Sequence, residues 1–499
     1  MKLSPLSVPY RVVERGAGLV FTAAILLSGA SAALGPVGGL AGIALVGLGV
    51  LLLVGYEITY HRRFEYDLAG DTLDIRSGVV SRRNREIPVR RIQNVDISRN
   101  VVQRVLGIAA VDFETAGGSE TEASLRFVEF EEAKRLQGEI GRLKRDASEE
   151  ETSEADAGEE LFALSPRELA IVGALSFDLR IPGLVLVIVS GSVPALSSML
   201  SARSVLLAAG AVAVAVAVVL VSWLGGAAAA VLNYYGFRLT RVGDELQYER
   251  GLLRRYDGSI PLDKVQTLTV IDDPLKRRFG YASLRIETAG YTPGGGAGRT
   301  GSEAAVPLAT RDRVFDLADR IESFGTPTFE RPPKRVRRRY AVRYLLALGA
   351  VVGALYGVDF LVARPVPWYA PLPLAAFVPV AAHYKWLHRG YWLGDDHLVT
   401  RNGVLRRRIK IVPYYRIQTV IDARTVFQRR WKVATVTADT AGSLSLVGND
   451  AAAVDVDETA ADDLRATLPT RLRAALATRR GWDDTDESDG ESGDTAADG

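Results

Sequence analysis

One motif is written three times along the 499-residue chain, so any fold for it must contain three equivalent repeats. Repeat one carries Gly78, Pro88, Arg91, Gln93, Arg104, Thr115 and Gly117. Repeat two carries Gly251, Pro261, Lys264, Gln266, Arg277, Thr288 and Gly290. Repeat three carries Gly403, Pro413, Arg416, Gln418, Arg429, Thr440 and Gly442. Gly to Pro is always 10 positions, Pro to Gln 5, Gln to Arg 11 and Gln to Thr 22. Four spacings held in register three times are not a chance pattern.

Each repeat follows a pair of apolar runs. Residues 16–55 contain no charged side chain over 40 positions, and residues 204–237 none over 34. About 20 apolar residues suffice for a helix to cross the hydrocarbon core, so these runs read as membrane spans. Six spans are expected, at 16–34, 40–60, 181–199, 204–232, 344–363 and 365–382, paired into three hairpins. The last is short and holds Pro367, Pro371, Pro373 and Pro379. Residues 1–15 are short and basic, like the start of a signal peptide. The apolar stretch behind them is too long for one and a second follows at once, which favours a retained helix. Cationic clusters flank the spans on the repeat side: His61-Arg62-Arg63, Lys334-Arg335, Arg337-Arg338-Arg339, and Lys385 with Arg389. The positive-inside rule then places all three repeats and both termini in the cytoplasm of a multi-pass cell-membrane protein.

The expected division is a hairpin at 1–60, a repeat at 61–145, an acidic disordered linker at 146–162, a hairpin at 163–233, a repeat at 234–325, a basic juxtamembrane linker at 326–340, a hairpin at 341–388, a repeat at 389–480 and an acidic disordered tail at 481–499. Each repeat alternates apolar and polar residues over short runs, then switches to helical spacing, as at Phe130, Ala133, Leu136, Ile140 and Leu143. Short strands are thus closed by one amphipathic helix. The repeated Gly78, Gly251 and Gly403 suit turns with positive φ. Pro88, Pro261 and Pro413 lack a ladder donor and mark an edge or a corner. Gln93, Gln266 and Gln418 carry amides able to satisfy buried backbone groups at that corner. For all of these the structural reading is preferred to ligand binding.

The Ile-Pro…Arg-Ile-Gln…Arg…Glu-Thr-Ala-Gly pattern resembles the bacterial pleckstrin-homology-like domain (bPH2) of membrane-flanked proteins, in which one to three such domains alternate with helical hairpins. The resemblance covers nearly the whole chain apart from linker and tail. It implies an α+β membrane protein with three partly closed PH-like β-barrels, each capped by a C-terminal helix. Repeat three departs where Gly107 and Gly280 become Lys432, and where Glu becomes Asp439, so its local loop is expected to differ. The resemblance supplies no activity.

Basic residues recur: Arg91 with Arg104, Lys264 with Arg277 and Arg416 with Arg429 at fixed spacing, and Arg82-Arg83, Arg254-Arg255 and Arg406-Arg407-Arg408 just past the turn glycine. They suit phosphate headgroups held bidentately, and equally a solvated face beside a negative leaflet. The first hairpin loops are acidic or neutral (Ala69-Gly70-Asp71, Val242-Gly243-Asp244, Gly394-Asp395-Asp396), unlike the basic loops of phosphoinositide-binding PH domains. The net charge of +2 hides a basic body, because two acidic runs, 146–160 and 483–498, hold eight carboxylates each and no base.

Catalytic chemistry finds little support. With no cysteine, thiolate metal sites and thiol nucleophiles are excluded. His61, His383, His388 and His397 form no metal-spaced set. The Gly-rich stretch 294–301 lacks the Lys of a phosphate-binding loop. No cofactor, metal or nucleic acid is expected. The spans carry few ionisable groups, Asp359 being the one candidate, which disfavours transport. The expected function is non-catalytic: three PH-like domains held against the membrane to bind membrane proteins, anionic lipid headgroups or both. The alternative is a transport or channel component gated by its PH-like domains.

Overall fold

A computed structural model of the protein describes residues 1–15, 47–115, 123–146, 158–175, 204–288, 305–361, 367–441 and 450–491. Repeat one contains β1 (Glu65–Ala69), β2 (Thr72–Ser77), β3 (Arg83–Pro88), β4 (Ile92–Asn100), β5 (Ile108–Thr115) and β6 (Ala123–Glu129), followed by the helix Phe130–Asp146. After β7 (Glu159–Ala163), repeat two contains β8 (Arg238–Val242), β9 (Glu245–Arg250), β10 (Arg254–Pro261), β11 (Val265–Asp272), β12 (Tyr281–Thr288) and β13 (Ala305–Thr310), then the helix Arg311–Ile321. Repeat three contains β14 (Gly390–Leu393), β15 (His397–Asn402), β16 (Arg407–Pro413), β17 (Ile417–Ala423), β18 (Val433–Thr440) and β19 (Ala451–Asp457), then the helix Glu458–Glu491. Each repeat is thus two antiparallel three-stranded meanders and a helix.

The motif sets the joints between these elements. The turn glycines have φ of 112° at Gly78, 100° at Gly251 and 99° at Gly403. A Cβ at each would lie 1.9–2.0 Å from the carbonyl oxygen of Ser81, Arg254 or Arg406, so only glycine closes the hairpin between the second and third strands. Pro88, Pro261 and Pro413 each end the third strand and lead into a one-turn 3-10 helix that carries the chain to the fourth. The pairing register slips at the motif glutamine in all three repeats, between Ile92 and Asn94, Val265 and Thr267, and Ile417 and Thr419. The glutamine is therefore the extra residue of a bulge, which bends the fourth strand away from its corner. Gln266 is buried and its amide reaches the Lys264 carbonyl at 3.4 Å, but Gln418 is exposed, so the backbone bulge rather than amide capping is what the three repeats share. Thr115, Thr288 and Thr440 are buried at the ends of their strands. Gly117, Gly290 and Gly442 lie outside the described residues.

Repeat three does not depart at Lys432. That residue adopts φ 51°, the left-handed conformation of Gly107 (68°) and Gly280 (75°), so the same turn forms with a side chain that disfavours it. Lys432→Gly is expected to stabilise repeat three by about 0.5–1 kcal/mol, the left-handed penalty less the entropy cost of glycine, read as a raised melting midpoint in detergent.

The barrels are not closed. Instead, the second meander of one repeat continues into the first meander of the next. In one sheet six successive strands run β6-β5-β4-β10-β9-β8, with β4 pairing antiparallel to β10. In another the order is β13-β12-β11-β16-β15-β14, with β11 antiparallel to β16. The outer meanders, β1-β2-β3 and β17-β18-β19, remain three-stranded. Two compact units result, Met1–Glu160 with Gly236–Pro261, and Leu161–Tyr235 with Leu262–Gly499. The boundary falls at the Pro261 corner, inside repeat two.

Within the first unit the core gathers Leu73, Ile92, Ile97, Val111, Phe113 and Leu125 from both meanders under Ala133, Leu136 and Ile140 of the helix. Burial of each such large aliphatic side chain contributes about 1.5–3 kcal/mol. Repeat three repeats this arrangement with Val436, Ala453, Leu464 and Leu468. Its helix extends to Glu491, into the stretch expected to be a disordered tail. The linker is likewise shorter than expected, since its last residues enter β7.

Two helices among the described residues are long and apolar enough to cross a membrane, Val216–Tyr234 and Val336–Leu361, not six. They carry expected spans four and five. Spans one and three lie outside the described residues, and span two is described only from residue 47. Span six is not one helix. Its prolines leave a 3-10 segment, Leu372–Phe377, followed by the helix Val378–Leu387 of 10 residues. Ten residues rise about 15 Å, half of the hydrocarbon thickness.

Segments preceding the expected hairpins dock on the last strand of the repeat that follows. Ser4 donates its backbone N–H to the Phe127 carbonyl in β6, Val172 and Leu175 pack on Leu308 of β13, and the Tyr340 hydroxyl bonds Asp455 of β19 at 2.6 Å. The segment leading into each expected hairpin is therefore fixed to a repeat within its unit.

Candidate functional site

A cleft of about 470 Å³ opens in repeat one where the helix ending at Arg63 meets the β2–β3 hairpin. Its wall holds Arg62, Arg63, Arg76, Arg82 and Arg83 against a single carboxylate, Glu65. Arg62 and Arg63 come from the end of the second expected span, Arg76 from β2, and Arg82 and Arg83 from the tight turn and the start of β3. Arg63 also donates to the Val79 carbonyl at 3.0 Å, which ties the helix end to the turn. Five guanidiniums with one counter-charge in a partly enclosed space make a strongly anion-attracting site, and guanidinium forks match phosphate oxygens.

Beside the cleft, Val80 is 94% exposed at the tip of the turn. The equivalent residues Leu253 and Leu405 are also exposed. Each repeat adds a one-turn helix after its fourth strand with bare apolar side chains: Val101, Val102 and Val105; Leu275, with Phe279 just beyond; Val426 and Phe427. Aliphatic tips rimmed by arginine recur in all three repeats, a composition that suits the boundary between headgroups and acyl chains.

The other basic residues singled out by spacing are placed differently. Arg104 donates to the Leu252 carbonyl at 2.6 Å, and Arg277 to the Val404 carbonyl at 2.5 Å. Each therefore clamps the residue after the turn glycine of the next repeat. Arg254 bonds the Tyr256 hydroxyl at 3.3 Å, and Arg255 bonds Glu249 at 2.5 Å. Arg407 is buried and grips Asp272 of repeat two with its Nη2 at 2.5 Å from Oδ2 and its Nε at 3.1 Å from both oxygens. Lys264 pairs with Asp263, and Arg416 donates to the Asp263 carbonyl. Arg91 and Arg429 are exposed, and Arg406 lies on the turn before β16. Of the candidates, only Arg82 and Arg83 reach the cleft.

Two features escape sequence reasoning. Arg76 joins the cleft by strand pairing opposite Asn84, a register that no local pattern announces. Glu57, inside expected span two, is buried and pairs with Arg15 at 2.5 Å and Arg11 at 3.7 Å. A lone acid in an apolar run signals such a partner, but spacing alone does not say that it lies in the basic residues of 1–15.

Fold and site define a membrane-associated protein built from tandem PH-like domains, with a basic cleft where a helix meets the first of them. The chain belongs to the bacterial PH domain family, whose model matches residues 20–144, 183–324 and 344–472. It is 25% identical over 428 residues to the UPF0699 transmembrane protein YdbT of Bacillus subtilis (strain 168), covering 80% of this chain and 84% of that protein. It is 31% identical over 105 residues to the UPF0699 transmembrane protein YdbS of the same organism, covering 20% of this chain and 64% of that protein. No solved structure matches it significantly.

Proposed function

We propose that the protein is a membrane-anchored, non-catalytic binding module that takes phosphate-bearing anions, lipid headgroups foremost, at the inner face of the cell membrane. The observation that carries this reading is the cleft of repeat one, where Arg62, Arg63, Arg76, Arg82 and Arg83 converge at the end of an expected span. A headgroup held there lies beside Val80, whose exposed side chain suits the acyl boundary. The basic flanks of the spans favour a cytoplasmic placement of the cleft. Among the described residues no cluster of His, Asp and Glu suited to a metal ion accompanies it.

The test uses the full chain in nanodiscs of neutral phosphatidylcholine. It is titrated with a short-chain phosphatidylglycerol, with glycerol phosphate and with inorganic phosphate. Arg82→Gln with Arg83→Gln is expected to weaken binding by about 2 kcal/mol, on the scale of about 1 kcal/mol per basic residue at an anionic surface. The lipid alone binding tightly indicates a headgroup with its glycerol and chains; equal binding of all three indicates a phosphate site. Binding that is unaffected by the substitutions, or absent, counts against the reading.

A further inference from the structure

The two internal junctions obey one rule. In both, the residue six before the motif proline faces the residue six after the motif glutamine of the preceding repeat: Arg255 opposite Arg99, and Arg407 opposite Asp272. In both, the motif arginine of the preceding repeat clamps the carbonyl just past the next turn glycine. A junction is thus a built interface, made by the fourth strand of one repeat and the third strand of the next.

Among the described residues, one half of that interface is left uncovered at each outer meander. Among the described residues, β3 pairs only with β2 and β17 only with β18. The edges are open where their equivalents are covered. Arg83, Asn84, Arg85 and Glu86 of β3 are exposed, whereas Asp257, Gly258 and Ser259 of β10 are buried. Gln418, Thr419, Ile421 and Ala423 of β17 are exposed, whereas the first six residues of β11 are all buried. Arg429, at the motif position of those two clamps, is exposed.

We propose that a second copy of this chain supplies the missing half: β17 of one molecule pairs antiparallel with β3 of another, continuing the sheet head to tail. The shared register then sets Arg83 opposite Ala423, Asn84 opposite Asp422, Arg85 opposite Ile421 and Glu86 opposite Val420. Arg429 joins Arg63 of the neighbour on that neighbour's Val79 carbonyl, whose two lone pairs accept both. Charge on an edge strand often serves to prevent such pairing. Here it does not exclude it, because β10 and β16 also begin on an arginine, Arg254 and Arg407, and are nonetheless paired. The two surfaces differ, so the contact is heterologous and builds rings or rows of molecules rather than a two-fold dimer. The ladder is short, and confinement to a membrane raises the effective concentration that such a weak contact needs.

The natural chain has no cysteine, which makes the test direct. Differently tagged full-length chains carrying Arg85→Cys and Ile421→Cys are co-expressed, and their membranes are treated with a mild oxidant. Disulfide-linked heterodimers are expected, several-fold more than when Thr419→Cys replaces Ile421→Cys. Adding Arg429→Gln to the Ile421→Cys chain is expected to cut the yield several-fold; the changed side chain is exposed, so folding is preserved, as an unchanged melting midpoint verifies. A chain carrying both cysteines is expected to give a ladder of multimers. The proposal is overturned if mixed chains give no heterodimer, if the off-register pair links equally well, if Arg429→Gln leaves the yield unchanged, or if the double variant links only within itself.

Discussion

Asp272→Ala is expected to lower the stability of the second compact unit by about 3–5 kcal/mol, the usual cost of stranding a buried charge without its partner. Asp272 is buried at the end of β11 and holds two guanidiniums, Arg407 across the junction and Arg277 at 2.8 Å. Removing its carboxylate leaves Arg407 inside the sheet with no counter-charge. The neighbouring pair, Lys410 with Glu287 at 2.8 Å, is buried too and cannot turn to compensate, because Glu287 also accepts from Thr269 at 3.1 Å. Heat unfolding in detergent followed by tryptophan emission is a suitable readout, since Trp386, Trp392 and Trp431 lie in this unit. Asp272→Leu combined with Arg407→Met is expected to recover most of the loss, because a packed apolar pair avoids the desolvation cost of the ions. If the single variant melts within a degree or two of the natural chain, the ion pair is not what holds repeats two and three together.

No local pattern in the sequence announces the Asp272–Arg407 pair. Arg406, Arg407 and Arg408 sit beside a turn glycine and read as one basic face. Strand alternation sends successive side chains to opposite sides of the sheet, so Arg407 points to Asp272 in a neighbouring repeat 135 positions earlier. The triplicated spacing, the turn glycines, the proline corners and the closing helices were all legible, because each depends on local backbone preference or on a helical period. The joined sheets were not. They follow from edge strands that each repeat leaves open, and edge pairing carries no local signature. The motif arginines Arg104 and Arg277 recur because both junctions need them, and spacing alone could not distinguish that role from headgroup contact. The cleft was half legible. Arg82 and Arg83 stand out beside the turn glycine, whereas Arg62 and Arg63 read from sequence only as a topology signal. Proline content marked expected span six as the weakest of the spans, and it is the one that the described residues show not to be a single helix.

Asp455→Asn is expected to cost a further large amount, about 3–5 kcal/mol, and to change how the second unit responds to acid. Asp455 is buried on β19 at a left-handed φ of 58°. It accepts hydrogen bonds from Tyr340 at 2.6 Å, Arg389 at 2.7 Å and Gln428 at 3.0 Å, and pairs with Arg339. Burial pushes its carboxyl pKa up, but the Tyr340 hydrogen bond and the charges of Arg389 and Arg339 outweigh burial and hold it below the ordinary value. A carboxylate whose native pKa is depressed binds protons more readily in the unfolded chain. Its stabilisation is therefore complete above the unfolded value of about 3.9, and is lost as pH falls through the lower native one. The natural protein should lose stability in that acid window, with the helix Val336–Leu361 released from repeat three as the carboxylate is neutralised. Asparagine keeps the shape and removes the charge, so the variant should start less stable at neutral pH and show a flatter acid limb. Melting midpoints of both chains between neutral pH and the onset of acid unfolding decide the matter. Parallel acid limbs would mean that Asp455 is not the group whose protonation frees this helix.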